Sequence, residues 1–301
     1  MTARTEKMSV IDYVARNFTW GRFFFWMGLL VFVTSVVFPF YWMFASSFKS
    51  GIEISGRAPV WIPHEWRLDA YQQLFNPAWD RYQDFGKNVL NSVKVALPTS
   101  ILAVLLSTLG AYAIVRLQFK GKNFMLNSIL MIYLFPGVLL IIPLFAMLAE
   151  VSRWTGIEIQ DNLSILVLTY LAQTLPVAMY MLSNYFRTIP SEIEQAALID
   201  GCSRFDVIWR IVLPLAVPAL VSVGIYTFMI AWNEFLYAFV FLNSHDLFTI
   251  PIKINTIFND PSPQMNVVMA ASTVMTLPIV ILFFGLQRYL SEGLSAGGVK
   301  G

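Results

Sequence analysis

Residues 190–214 read PSEIEQAALIDGCSRFDVIWRIVLP, a polar, helix-breaking stretch between two long apolar runs. It carries the acids Glu192, Glu194, Asp200 and Asp206, the bases Arg204 and Arg210, two adjacent alanines, a glycine and a proline at each end. Crossing a bilayer needs none of these, because a spanning helix requires only about 20 apolar residues at ~1.5 Å rise. The stretch reads as a surface for another protein to grip.

Its surroundings set the fold class. The chain has 301 residues, 57% of them hydrophobic and 13% charged, and its mean hydropathy is +0.64. A soluble domain of that size could not solvate such a surface, so the expectation is an all-α integral membrane protein. Six runs are long and apolar enough to span: 23–44, 93–115, 124–148, 164–182, 212–242 and 267–289. The fifth exceeds one straight span and is predicted to be tilted, broken or partly outside the bilayer. The first is too long for a signal-peptide core. The resulting division is an N-terminal tail 1–22, a first span 23–44, an extracytoplasmic loop 45–92, a core 93–289 holding five spans, and a C-terminal tail 290–301.

Lysine and arginine in short loops set the expected orientation. Arg4, Lys7, Arg16 and Arg22 precede the first span, and Arg116, Lys120 and Lys122 follow the second without an acid. The loop after the third holds Arg153 against Glu150, Glu158 and Asp161. Both termini and the 190–214 stretch are thus expected in the cytoplasm.

Soluble enzyme chemistry finds no foothold. His64 and His245 are the only histidines and lie far apart, and Cys202 is the only cysteine. Neither a zinc-protease helix, a G-x-S-x-G elbow nor a phosphate-binding P-loop is present, so no catalytic residue or metal site is expected. The net charge of +2 makes no case for nucleic acid. Polar groups inside spans are costly and mark function; Asn233 and Glu234, in the fifth run, either line a solute path or sit at the outer interface beside Trp232 and Tyr237. Pro136, Gly137, Pro143, Gln173, Thr174 and Pro176 break backbone ladders, as packing kinks or against a water-filled cavity.

The 190–214 stretch has its own grammar. Pro190 discourages continuation of the preceding helix. Ser191 and Glu194 have the spacing of a capping box, Gly201 stands where a helix-terminating glycine is wanted, and Ser203 with Asp206 repeats the start signal. Helix, tight turn, helix is the expectation. Ile193, Ala196 and Ala197 share a face by spacing, one that admits either a closely approaching partner or the chain's own loops.

These residues resemble a family. Gln195-Ala196-Ala197, Gly201 after three residues, and Ile211-x-Leu213-Pro214 after nine more are similar to the EAA loop of permease subunits of binding-protein-dependent ABC importers. The family's first motif residue is usually glutamate; here it is Gln195, with Glu194 just before it. Phe38-Pro39, Ser47-Phe48-Lys49, Asn91-Ser92-Val93 and Trp232-Asn233-Glu234-Phe235 resemble the carbohydrate-uptake branch, and the ending from Gln287 to Gly301 resembles the tail of the second maltose-type permease subunit.

The resemblance implies a multi-pass subunit of the bacterial inner membrane, paired with a second, related permease. An ATPase dimer would carry ATP and Mg, with no cofactor in this chain, and an extracytoplasmic binding protein would deliver a carbohydrate such as a maltodextrin or an alginate-type oligomer. It implies ATPase coupling through Glu192, Glu194, Gln195, Ala196, Ala197, Asp200, Gly201, Leu213 and Pro214, and a tail with Gly297, Gly298 and Lys300 at the ATPase interface. The loop 243–266 would engage the binding protein. Two other classes remain at this stage: an ion-coupled sugar carrier, which would call for buried carboxylates or paired broken helices in related halves, and, further off, a membrane-surface enzyme.

Overall fold

The computed structural model describes residues 20–56, 58–76, 82, 84–122, 124–125, 128–129, 131 and 136–298, with side chains through 289. Among them the regular structure is entirely helical. The helices are α1 (Trp20–Ser47), α2 (Gly51–Ser55), α3 (Asp69–Phe75), α4 (Phe85–Arg116), a 3₁₀ turn (Gly137–Leu140), α5 (Ile141–Thr155), α6 (Leu163–Phe186), α7 (Ser191–Ile199), α8 (Arg204–Val207), a π turn (Ile208–Val212), α9 (Leu213–Leu215), α10 (Val217–Asn233), α11 (Leu236–Phe241), α12 (Ile250–Phe258) and α13 (Met265–Gly298).

Five of these segments are long and apolar enough to span, and a sixth is the bent pair Arg204–Leu215 and Val217–Asn233, whose axes differ by 79°. The expected break of the fifth run is therefore found. Pro214 and Pro218 flank the corner, and each removes a backbone donor from the ladder. The run also ends early: the helix stops at Asn233 and resumes only at Leu236.

α4 is the central helix, packing on α6, α10, α12 and α3. Its buried face is built of small side chains, among them Ser92, Ala96, Ser100, Ala103, Ser107 and Ala111. Such spacing lets helix backbones approach closely where lipid supplies no hydrophobic drive for association. Gly110 meets Met179 of α6 so closely that a Cβ there would lie 2.7 Å from Met179 Cε. Ser100 Oγ donates to the Gly224 carbonyl of α10 at 2.8 Å. In contrast, α1 buries only Ala45, Ser46 and Ser47 and packs chiefly on α13.

Several boundaries differ from the sequence reading, two of them informatively. α4 begins at Phe85, not 93. Its first turns are polar and defeat a hydropathy window, yet they are used: Asn88 Nδ2 donates to the His245 and Phe248 carbonyls at 2.9 and 3.0 Å, Asn91 Nδ2 to Asp246 O at 2.7 Å, and Ser92 Oγ accepts from Ile250 N at 2.8 Å. The run 124–148 is broken at Pro136, and α5 continues past 148 to Thr155; residues 132–135 lie outside the described residues.

Candidate functional site

The 190–214 stretch folds as helix, turn, helix. Gly201 has φ +90°, in the left-handed region that glycine occupies without a Cβ penalty. Cys202 N donates to Ala197 O at 3.0 Å and Gly201 N to Leu198 O at 3.2 Å, the paired bonds of a Schellman termination after Asp200. The second start is a true capping box: Ser203 Oγ accepts from Asp206 N, and the Asp206 carboxylate accepts from Ser203 N.

The first start is not. No side chain caps α7, and the Glu194 carboxylate turns instead toward the C-terminal end of α4. There Arg116 Nε donates to Glu194 Oε1 at 2.6 Å and the Tyr112 hydroxyl to Oε2 at 3.1 Å. Glu194 is 6% exposed. The charge pair outcompetes the cap because a guanidinium bond is stronger than one to a backbone amide. Sequence reading missed Arg116 and Tyr112, since Arg116 also serves as an ordinary loop charge and nothing in its spacing points to residue 194.

The face assigned to Ile193, Ala196 and Ala197 is divided. Ala197, 7% exposed, packs inward with Ala111, Phe186, Val207 and Val212. Ile193 and Ala196 lie open, as do Glu192, Gln195 and Asp200, and Ile199 is 86% exposed. Phe205 and Trp209 lie against each other, tilted, with centroids 5.7 Å apart and are also exposed. Leu213 is half-buried and Pro214 open. The loop thus presents a mixed apolar and acidic surface. Gly297 and Gly298 close α13, and Lys300 lies outside the described residues.

A second feature is a cleft of about 850 Å³ between α5, α6 and α10. It is lined by most of the ladder-breaking residues, Pro136, Gly137, Pro143, Gln173 and Pro176, with Thr169, Tyr226 and Tyr237. The breaks therefore border a cavity, where the freed carbonyls find partners: Tyr237 Oη donates to Gly137 O at 2.7 Å. Asn233 and Glu234 lie beside this cleft without lining it. Asn233 Nδ2 donates back to Met229 O at 2.8 Å. The Glu234 carboxylate accepts from Tyr170 Oη at 2.5 Å and from the Tyr237 and Ala238 amides at 2.9 and 3.2 Å. It satisfies the first open donors of α11.

The loop 243–249 is anchored on the same side as α11. Asp161 accepts from the amides of Asn243 and Ser244 at 2.7 and 2.9 Å and from the Ser244 hydroxyl at 2.8 Å. Burial opposes ionisation of Asp161, but these three donors outweigh it and hold the carboxyl below its usual range. Among the described residues, no group of three or more His, Cys, Asp or Glu side chains converges as a metal site requires.

Over residues 91–296 the sequence matches the family described as binding-protein-dependent transport system inner membrane component. The chain belongs to that family. It is an inner-membrane permease of the ABC transporter kind. The permease is 42% identical to an inner membrane ABC transporter permease protein of Escherichia coli K12, over 94% of this chain and 98% of that one. It is 32% identical to a trehalose/maltose transport system permease protein of Thermococcus litoralis, over 91% and 95% of the two chains. Its fold matches a chain of a bacterial ABC transporter involved in importing the acidic polysaccharide alginate, with TM-score 0.76 at 19% identity, covering 91% of the permease and 99% of that chain. These relatives are named as transport permeases.

Proposed function

We propose that this permease takes up a carbohydrate with energy from ATP hydrolysed on separate subunits. The observation that carries the reading is α7: a short helix, rigidly terminated and exposed along Ile193, Ala196 and Ile199, joined to the ends of two spanning segments. A contact of that kind passes the closure of an ATPase dimer into helix movement, because ATP energy reaches a solute only through a contact that differs between states. In this reading ATP and Mg reside on the partner ATPases, 190–214 and both termini face the cytoplasm, and the end of α13 with Lys300 approaches the ATPases. A second permease covers the open side of the cleft, and a binding protein docks on the opposite face at 243–266.

Carbohydrate as cargo is supported by the trehalose/maltose relative and by the cleft's mixture of Gln173, Thr169, Tyr226 and Tyr237 with apolar walls. Hydrogen-bonding side chains set among aromatic and aliphatic surface suit a polyol. The test is uptake by membrane vesicles holding the complete transporter, across a panel of maltodextrins, trehalose and uronate oligomers, with ATP inside or depleted. ATP-dependent accumulation of one panel sugar is expected. Accumulation that persists without ATP and collapses with the ion gradient would overturn the proposal.

A further inference from the structure

α7 touches the rest of the chain through a narrow base. Of its nine residues only Glu194 and Ala197 are buried, and the polar half of that base rests on one guanidinium. Arg116, the last residue of α4, donates from Nε to Glu194 Oε1 at 2.6 Å and from Nη2 to the Ile189 carbonyl at 2.7 Å. Ile189 belongs to the connection between α6 and α7, so one side chain holds both the helix and its lead-in. Tyr112, one helical turn before Arg116, takes the other carboxylate oxygen. The side chains of Arg116 and Glu194 are 15% and 8% exposed, and their chain neighbours Tyr112 and Ala197 belong to one buried apolar cluster with Phe186, Ile189 and Val207.

This placement differs in kind from the permease's surface pairs. Arg153 with Glu150 is largely open to solvent, and pairs of that sort exchange readily with water and hold little. A buried pair cannot separate without stranding a charge, so it resists being pulled apart. It also sits where both helix ends favour it, a cation in the last turn of α4 and an acid in the first turns of α7. The bond joins α7 directly to the last residue of the central span.

We propose that Arg116, by holding Glu194 and the Ile189 carbonyl together, is the clamp that delivers a displacement of α7 to the second span. It acts by positioning, through α7, and touches neither nucleotide nor solute. The inference rests on α7 being the ATPase contact, and the experiment separates the two.

The complete transporter, with Cys202→Ser and a single reporter thiol Ala172→Cys in the cleft, is reconstituted with its ATPases. Labelling of this subunit by a charged methanethiosulfonate reagent is read with and without ATP plus orthovanadate. With the clamp intact, trapping changes the labelling rate at least about fivefold. Glu194→Gln brings that change below about twofold while trapped nucleotide and co-purified ATPase stay at parent levels. Arg116→Lys does the same, because an ammonium lacks the fork that serves two acceptors at once. A full response in Glu194→Gln, or loss of nucleotide trapping together with the response, overturns the clamp. Should Glu194→Gln fail to assemble, Tyr112→Phe decides: a reduced response supports the clamp and an unchanged one refutes it. A parent that binds no ATPase, or shows no response to trapping, defeats the proposed function and the clamp with it.

Discussion

Tyr170 in α6 donates to Glu234 Oε2 at 2.5 Å, tying a spanning helix to the break where α10 gives way to α11. Tyr170 is fully buried, so its hydroxyl has no water to fall back on. Tyr170→Phe leaves the carboxylate with two amide donors, and a bond to a charged acceptor contributes about 1.5–3 kcal/mol. The variant is expected to lower the thermal midpoint of the detergent-solubilised permease. An unchanged midpoint would show that the hydroxyl does not hold the break.

Ala196 and Ala197 are adjacent yet face opposite ways, one open and one packed in the core under α7. Arginine at the two positions should fail differently. Ala197→Arg forces a guanidinium among Phe186, Val207 and Val212, and the loop becomes protease-sensitive in the isolated permease. Ala196→Arg leaves digestion at the parent level and removes the ATPase from pull-downs. Equal digestion patterns for both variants would contradict the inward placement of Ala197.

Gly201 separates strain from a lost donor. At φ +90° a Cβ costs about 1–2 kcal/mol, and nothing lies within 4 Å to obstruct it. Gly201→Ala should therefore weaken transport modestly, with the permease still in the membrane. Gly201→Pro cannot reach that φ and also removes the bond from Gly201 N to Leu198 O, so it should abolish transport at normal expression. Uptake by Gly201→Pro at the parent rate would refute the need for this termination.

Asp161 sets the pH behaviour of the loop beginning at Asn243. Its folded pKa is depressed, so its contribution is complete above the usual aspartate range, near ~3.9, and is lost only as pH falls through the depressed value. Hydrogen exchange at the Asn243 and Ser244 amides should show constant structural protection between about pH 5 and 8, after correction for intrinsic rates. Asp161→Asn should lose that protection at every pH. Protection that declines between pH 8 and 6 would exclude Asp161 as the anchor.

Sequence and structure agree where information is local. The helix ending at Ile199, the left-handed Gly201 and the Ser203–Asp206 box follow from spacings of a few residues, because capping bonds join near neighbours. Where a residue had two possible partners, locality misled: Ser191 and Glu194 have the spacing of a cap, but Arg116 claims the acid. The polar start of α4 was hidden for a related reason. Asn88, Asn91 and Ser92 look like loop residues until the carbonyls of 245–248 and the amide of Ile250 stand opposite them.

Hydropathy and chain connectivity were enough to indicate a helical membrane bundle, a fifth apolar run too long for one straight span and a polar loop with a rigid turn, because bilayer thickness and backbone capping impose their demands on any sequence. Which way each helix is rotated was decided only by packing. That rotation turns Ala197 inward, commits Glu194 to Arg116 and Glu234 to Tyr170, and gathers most of the ladder-breaking residues around one cleft. The physical reason is that an ion pair or a cavity depends on side chains far apart in the chain meeting at about 3 Å, a distance that no spacing along a single helix encodes.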